Sequence, residues 1–156
     1  MDFGRTMKDG TRVLGDGKTW SGLLGGTLSG MFIGLVQLLI GLAVGSDDFL
    51  GFGHPPYSII IIFAMAFGAL LGDMLGSFIK RRLGRERGAQ FHGLDQYDFV
   101  LGAFIMLFIL APGWTWETYL YGKHIIGLLT IIIVTPFLHR AVNILGYKMG
   151  KKDVPW

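Results

Sequence analysis

A carboxylate lies inside a long apolar stretch of this chain, and a cluster of cations follows it. Asp73 interrupts the apolar run, and Lys80, Arg81 and Arg82 come directly after the run ends. An ionisable side chain within a membrane span is expensive to bury and usually has a function there. A structural aspartate that is hydrogen-bonded or snorkels to the surface is the alternative. If the run is helical to its end, Asp73, Ser77 and Lys80 share one face, at i, i+4 and i+7.

Two further carboxylates, Asp95 and Asp98, stand three positions apart where the next apolar run begins. Capping and the helix dipole favour carboxylates at a helix N-terminus, and capping alone explains one of them. It explains less well a pair of acids beside a cationic cluster. Magnesium prefers oxygen ligands, typically one or two carboxylates together with substrate phosphates. With Asp73, this pair therefore predicts metal-assisted phosphate chemistry at a membrane surface.

The cations of residues 80–87 have two interpretations. Stop-transfer charge and attraction to anionic lipid headgroups explain most such clusters, and we apply this interpretation to Arg85 and Arg87. Since Lys80 and Arg81 follow Ser77 closely, we predict that these two cations bind phosphate.

A glycine-rich turn, Gly15-Asp16-Gly17-Lys18-Thr19, precedes the first apolar run. It does not match the GxxxxGK[ST] phosphate loop, because an arginine stands where the first glycine must be and no strand pattern precedes it. Backbone N–H groups at the start of a helix can nevertheless bind an anion, and Lys18 adds a positive charge. The four histidines are scattered without metal-ligand spacing and are predicted to be structural.

The composition is that of a membrane protein. Hydrophobic residues make up 51% of the 156 residues and charged residues 16%, and no cysteine is present for a disulfide or a thiolate metal site. Residues 1–20 lack the apolar segment of a signal peptide. Four apolar stretches approach the roughly 20 residues that a transmembrane helix needs. They are 22–44, 57–79, 99–112 and 125–138, the last two with their flanks. We therefore predict an all-α fold, a polytopic membrane helix bundle with four spans.

Lysines and arginines are concentrated before the first predicted span, between the second and third, and after the fourth. By the positive-inside rule, both termini and the central loop are cytoplasmic. A single catalytic domain, 1–156, would then have a cytoplasmic N-terminal segment at 1–21, an active-site loop at 80–97 and a tail at 141–156. Aromatic residues at 114–121 are predicted to form an interfacial belt on the other side. This arrangement predicts a multi-pass protein of the cell membrane with its active site on the cytoplasmic side.

Glycines recur at every fourth position in the first two spans, at 22, 26, 30 and 34 and at 68, 72 and 76. Small residues at this spacing let membrane helices approach closely. We expect a groove between such glycine-faced helices to hold lipid tails. The alternative is that glycine is simply frequent in membrane spans. An inverted-repeat transporter is not supported, because we find no convincing internal repeat.

Four segments together resemble the CTP-dependent phosphatidate cytidylyltransferase superfamily, most closely the small archaeal CDP-archaeol synthases. They are DFGR at 2–5, LGDGKTWSG at 14–22, GDMLGSFIKRR at 72–82 and LDQYDF at 94–99. The Lys-Thr-Trp-x-Gly run is similar to the Lys-Thr-Trp-Glu-Gly of bacterial and eukaryotic CDP-diacylglycerol synthases. The later segments are similar to the superfamily signature, in which Gly-Asp and Ser are followed by Lys-Arg and closed by Asp-x-x-Asp. The resemblance covers essentially the whole chain.

This resemblance implies magnesium-dependent transfer of CMP from CTP to a phosphorylated, ether-linked isoprenoid glycerol, with release of pyrophosphate, in phospholipid biosynthesis. Mg²⁺ is then the cofactor, CTP and the lipid phosphate are the partners, and no nucleic acid is bound. The metal ligands implied are Asp73, Asp95 and Asp98, which with Lys80 form the catalytic set. The residues implied to bind the nucleotide and its phosphates are Asp16, Lys18, Thr19, Ser77, Lys80, Arg81 and Gln96.

Two features depart from the family pattern. The Pro-Gly-His-Gly-Gly stretch of the signature is reduced to Gln-Phe-His-Gly at 90–93. Close relatives carry a further hydrophobic segment before the Asp-Phe-Gly run, which implies five spans where such a segment precedes residue 1.

Two other functions are compatible with parts of the sequence. A small ion or solute transporter would use Asp73 as its coupling residue, but it predicts acids near the membrane midplane and polar residues along several spans. A non-catalytic assembly subunit would dock partners through its glycine faces, but it gives no role to Asp95, Asp98 or Lys18.

Overall fold

The computed structural model describes residues 1–7, 10, 13–14, 17–45, 51–84, 91, 93–151 and 155. Its long regular elements within these ranges are helices, so the predicted all-α fold is confirmed for the described part of the chain. In chain order they are α1 Trp20–Val44, α2 Tyr57–Arg82, α3 Leu94–Leu110, α4 Pro112–Tyr119 and α5 Ile125–Lys148, with a 3-10 turn at Gly122–His124 before α5.

The ends of these helices follow from residue chemistry. The Thr19 side-chain oxygen caps α1 by accepting a hydrogen bond from the backbone N–H of Gly22 at 3.0 Å. Helix α1 ends at Gly45, which takes the left-handed conformation (φ 68°) that glycine adopts without a steric penalty. Three cations occupy the last turn of α2, where they suit the negative end of the helix dipole. Pro112 lies in the first turn of α4, where its missing N–H is not needed.

Three helical segments are long and apolar enough to cross a membrane, namely Trp20–Val44, Tyr57–Arg82 and Gly122–Lys148. Many of their large apolar side chains face outwards, as Phe32 and Ile126 do with 69% and 64% exposure. The chain is therefore a membrane protein. Helix α3 has 17 residues, somewhat below the roughly 20 that a straight span needs. The third predicted span accordingly stays a prediction.

Helix α2 lies between α1 and α3 and approaches both closely through glycine contacts. A methyl group added at Gly68 would lie 2.7 Å from the Gly102 carbonyl oxygen, and one added at Gly72 would lie 3.0 Å from the Gly102 Cα. A methyl group added at Gly30 on α1 would lie 2.9 Å from the Ala66 Cβ. The predicted role of these glycines in close helix packing is confirmed. The expectation that lipid tails lie between these faces is wrong, because neighbouring helices fill the space.

The apolar core lies at the end of the bundle opposite the cationic end of α2. Ile61, Ile62 and Ala64 from the beginning of α2 belong to one buried cluster with Leu107 and Ala111 from the end of α3. Each of these residues is at most 3% exposed. Because α2 and α3 run in opposite directions, the end of α2 meets the beginning of α3 at the other end of the bundle, where the polar residues lie.

Several helix boundaries differ from the predicted apolar runs. Helix α5 continues past the apolar run, from 138 to Lys148, because its polar residues occupy exposed positions or pair with each other, as Asn143 and His139 do at 3.2 Å. The aromatic belt is partly helical, and Tyr119 of α4 packs edge-to-face on Phe104 of α3 with ring centroids 5.0 Å apart.

Candidate active site

The described residues before α1 include turns that hydrogen bonds hold together. The Asp2 carboxylate accepts hydrogen bonds from the backbone N–H of Gly4 at 3.3 Å and of Leu14 at 3.0 Å. The Arg5 N–H donates to the Asp2 carbonyl at 2.8 Å, which closes a tight turn with Gly4 at φ 79°. Asp2 is 9% exposed, so these hydrogen bonds are shielded from water. They link the beginning of the chain to Leu14.

Lys18 contacts Asp73 of α2. Its ammonium group donates a hydrogen bond to Oδ2 of Asp73 and forms an ion pair with it. The partners lie 55 positions apart, so the contact depends on the packing of α1 against α2. A cavity of about 150 Å³ opens beside the pair and is lined by both residues together with Gly17, Thr19 and Met74, among others. The Asp73 side chain is 48% exposed and is therefore accessible to a ligand.

A second ion pair joins the end of α2 to the beginning of α3. Lys80 Nζ lies 2.8 Å from Asp95 Oδ1, and the two side chains are 24% and 23% exposed. The other carboxylate oxygen of Asp95 accepts a hydrogen bond from the Phe91 backbone N–H at 3.0 Å. A carboxylate in the first turn of α3 also suits the helix dipole. The dipole interpretation thus holds for Asp95, but its carboxylate also binds a cation.

Asp98 lies one turn further along α3 and packs on α2. A methyl group added at Gly76 would lie 2.9 Å from the Asp98 Cβ and 3.0 Å from its Cγ, so glycine at this position makes room for the carboxyl group. Asp98 Oδ1 accepts a hydrogen bond from the Phe99 backbone N–H at 2.7 Å. The residue is 8% exposed, which makes it the most buried of the three predicted metal ligands.

We name these five residues, Lys18, Asp73, Lys80, Asp95 and Asp98, the aspartate–lysine site. Asp98 packs on Gly76, which lies between Asp73 and Lys80 on α2, and Asp95 lies one turn earlier on α3. The two ion pairs and Asp98 are therefore at the same end of the bundle. Carboxylates bind cations, and ammonium groups bind phosphates through charge-assisted hydrogen bonds. A ligand that carries both a metal ion and phosphates can therefore exchange partners with the two ion pairs.

The other predicted site residues lie on the same elements. Ser77 and Arg81 are on α2, which is helical throughout this stretch, and Gln96 is in the first turn of α3. Thr19 uses its hydroxyl as the cap of α1. Asp16 lies outside the described residues, as do positions 85–90 and 92.

Two residues with a structural role at the site were not predicted from the sequence. Asp2 links the beginning of the chain to Leu14, and an aspartate followed two positions later by glycine is a turn signal that indicates such a role. The Tyr97 hydroxyl donates a hydrogen bond to the carbonyl oxygen of Ile132 on α5 at 2.7 Å. These two residues are 35 positions apart, so the local sequence does not identify Tyr97 as the donor.

An apolar groove of about 760 Å³ lies between α3 and α5, with Leu120, which follows α4, at its edge. Phe91, whose N–H contacts Asp95, lines one end of the groove, and Tyr97 lies close to it on α3. Phe108 and Leu120 line the other end. The groove therefore begins next to the aspartate–lysine site and continues along α3.

The donor chemistry of the site fits magnesium, since three carboxylates offer the oxygen ligands that this ion prefers. Within the described ranges, no group of three or more histidine, aspartate and glutamate side chains is arranged to hold a metal ion. Magnesium is commonly held by only one or two carboxylates, with substrate phosphates and water completing its shell. The described residues thus do not gather Asp73, Asp95 and Asp98 into one metal-binding group, and their role as magnesium ligands stays a prediction.

Fold and site together define a helical membrane protein in which a cluster of carboxylates and ammonium groups adjoins an apolar groove. The family model described as CarS-like, CDP-archaeol synthase, matches residues 1–156. The chain therefore belongs to the CDP-archaeol synthase family.

Curated relatives and a solved structure agree with this family. CDP-archaeol synthases from Methanocorpusculum labreanum and Methanosarcina mazei are each 45% identical over 100% of this chain and 89% of their own length. The enzyme of the same name from Picrophilus torridus is 45% identical over 100% of this chain and 83% of its own. A solved structure of an intramembrane enzyme for archaeal membrane lipids biosynthesis superposes with a TM-score of 0.53 and 47% identity, covering 67% of this chain and 59% of that one.

Proposed function

We propose that this chain transfers CMP from CTP to the phosphate of an unsaturated isoprenoid ether lipid, which yields a CDP-lipid and pyrophosphate. The observation that carries the proposal is the junction at Asp95. Its carboxylate binds Lys80 of the polar site and also accepts a hydrogen bond from Phe91, which lines the apolar groove. A nucleotide and a lipid phosphate need such neighbouring environments. The family match along the whole chain supports the same reaction.

The reaction is a substitution at phosphorus. An ionised oxygen of the lipid phosphate attacks the α-phosphorus of CTP and forms a new phosphorus–oxygen bond. The bond from the α-phosphorus to the bridging oxygen of the β-phosphate breaks, and its electron pair leaves with pyrophosphate. Because the attacking phosphate is already ionised, no side chain has to remove a proton. Catalysis then rests on positioning and on electrostatic stabilisation.

The aspartate–lysine site supplies both the positioning of the substrates and the electrostatic stabilisation. Lys18 and Lys80 exchange their carboxylate partners for phosphate oxygens of CTP, with Ser77 and Arg81 of α2 as further phosphate ligands. Lysine is suited to this exchange because its compact charge sits on a flexible stem. Asp16, Thr19 and Gln96 complete the nucleotide-binding set that the family resemblance implies.

Asp73, Asp95 and Asp98 would hold Mg²⁺ together with the phosphates of CTP. The carboxylates and the bound phosphates offer the oxygen donors that the ion prefers. When bound, the ion supplies charge neutralisation at the reacting phosphates. The part of this chain is to present the carboxylates from two helices, with Gly76 leaving space for the Asp98 carboxyl group.

The isoprenoid chains of the acceptor lipid would occupy the apolar groove between α3 and α5. Its volume of about 760 Å³ and its largely apolar lining suit long hydrocarbon chains. Tails in this position would leave the lipid phosphate near Phe91 and Gly93, beside Asp95.

We further propose that α3 is the third of four spans and that the aspartate–lysine site faces the cytoplasm in the cell membrane. Helix α3 packs along α2 from Asp98 beside Gly76 to Gly102 beside Gly68, so the membrane that α2 crosses also surrounds α3. With this crossing, the cations at the start of α1 and at the ends of α2 and α5 lie on one side, as the positive-inside rule requires.

Asp98→Asn and Asp73→Asn test the site. Both substitutions should lower CMP transfer at least about 100-fold, the scale of losing one preorganised electrostatic group, and should weaken magnesium-dependent CTP binding measured by equilibrium dialysis. Glu117→Gln is the matched control, because it neutralises an exposed carboxylate near the opposite end of the bundle. Near-normal turnover in both aspartate variants would show that the metal assignment is wrong.

The same binding measurement separates the enzyme from the two other functions. Neither a transporter that uses Asp73 for coupling nor an assembly subunit needs magnesium-dependent CTP binding. Wild-type protein that binds no CTP in the presence of magnesium would contradict the proposal.

A further inference from the structure

Helix α5 contains a proline whose consequence is visible across the apolar groove. Pro136 lies inside α5 and has no backbone N–H, so the carbonyl group four residues earlier, that of Ile132, lacks its helical donor. The Tyr97 hydroxyl of α3 donates a hydrogen bond to this same carbonyl oxygen at 2.7 Å. A side chain from another helix thus satisfies the backbone group that the proline leaves open.

Helix α5 is otherwise sparsely packed in the monomer. Thr135 and Asn143 are its buried residues, and only 6% of its most apolar stretch is buried against the rest of the chain. Tyr97 and Ile132 both line the apolar groove, so their hydrogen bond joins the two walls of the groove. In an apolar environment, where no water competes for the carbonyl group, such a hydrogen bond is stronger than it would be in water.

We infer that Tyr97 is a positioning residue, which holds α5 as the outer wall of the groove and so controls how tightly the lipid tails bind. The inference rests on the proposed function, because it takes the groove as the site of the acceptor lipid. Tyr97 lies between Asp95 and Asp98 in the chain. The segment that carries two carboxylates of the aspartate–lysine site therefore also carries the hydrogen bond that joins the two walls of the apolar groove.

Tyr97→Phe removes the hydroxyl and keeps the ring. We expect the KM for digeranylgeranylglyceryl phosphate to rise about three- to tenfold, the range of a single lost hydrogen bond. The kcat and the KM for CTP should stay within about twofold of wild type, because the aspartate–lysine site is unchanged. Tyr147→Phe removes a hydroxyl from an exposed residue of α5 outside the groove lining and should leave both KM values unchanged. A lipid KM that does not change in Tyr97→Phe overturns the inference.

A double-mutant cycle with Pro136→Ala tests the mechanism itself. Alanine at this position restores a backbone N–H that can donate to the Ile132 carbonyl group. In the Pro136→Ala background, Tyr97→Phe should therefore raise the lipid KM much less than in wild type. An equal rise in both backgrounds would show that the hydroxyl acts elsewhere, for example directly on the lipid phosphate, and would overturn the inference.

A spin-label distance measurement tests the role of the Tyr97–Ile132 hydrogen bond without any assay of catalysis. The chain has no cysteine, so labels on Ile105→Cys of α3 and Ile133→Cys of α5, both exposed, report the separation of the two groove walls in the folded chain. The distance distribution should broaden with Tyr97→Phe and narrow again when Pro136→Ala is added. An unchanged distribution overturns the inference, whereas failure of the wild type to transfer CMP overturns the proposed function and leaves this result intact.

Discussion

Gly76→Ala tests whether Gly76 positions the Asp98 carboxyl group, because it adds one methyl group beside this proposed metal ligand. The new Cβ would lie 2.9 Å from the Asp98 Cβ and 3.0 Å from its Cγ, about 0.5 Å short of an ordinary contact at 3.4 Å. Separating α2 from α3 relieves both contacts, whereas rotating the Asp98 side chain moves its Cγ but not its Cβ, which the backbone fixes. Both movements displace the carboxylate.

The close contact at Gly76 predicts an effect on stability and an effect on catalysis. Overpacking a close helix contact costs about 1–3 kcal/mol, and replacing glycine by alanine within a helix returns about 0.5–1 kcal/mol. We therefore expect a net loss of unfolding free energy of about 0–2.5 kcal/mol. The effect on catalysis should be larger, because misplacing a catalytic group by about 1 Å can lower the rate roughly 100-fold.

The assay is steady-state CMP transfer by purified protein, with thermal unfolding measured in the same detergent. Gly25→Ala is the matched control, since it makes the same change in α1 at a position with no heavy atom within 4 Å of the added Cβ. It should retain full activity and equal or greater stability. A folded Gly76→Ala protein with wild-type turnover would refute the argument that Gly76 positions Asp98 for catalysis.

Two further substitutions test the cap and the second ion pair. Thr19→Ala should lower the unfolding free energy by about 1 kcal/mol because it removes the cap of α1, and Thr19→Ser should restore it; an unfolding midpoint equal to that of wild type for the alanine variant would contradict the role of the cap. Lys80→Gln should raise the KM for CTP about tenfold because a charged phosphate ligand is lost, and Lys80→Arg should recover part of the affinity. A KM for CTP that is unchanged in Lys80→Gln would remove Lys80 from the nucleotide site.

The helices could be predicted because their apolar runs and charged flanks are local features. The run at 57–79 is extended in the structure only by its cationic end to Arg82, so the expected shared face of Asp73, Ser77 and Lys80 is present. The glycine spacing correctly indicated close packing. It did not reveal which surface stays open, since that depends on which helices pack together, and the apolar groove lies between α3 and α5 instead.

The pairing of charges at the site could not be read from the sequence. The sequence predicted that the three aspartates share a site, but it did not predict that Asp73 pairs with Lys18. These two residues are 55 positions apart, and their contact exists only once α1 packs on α2. The Tyr97 hydrogen bond to Ile132 has the same origin. Its one local indication is Pro136, which leaves an open carbonyl group but does not identify the donor.

The central claim is that the α-phosphoryl group of CTP, with its nucleoside, is transferred to a lipid phosphate. Two parallel reactions test it directly, with purified protein, magnesium and digeranylgeranylglyceryl phosphate, one with CTP labelled at the α-phosphate and one with CTP labelled at the γ-phosphate. The account predicts that α-label enters the lipid while γ-label leaves as pyrophosphate. Absence of α-label from the lipid, or transfer of γ-label to it, would contradict the account.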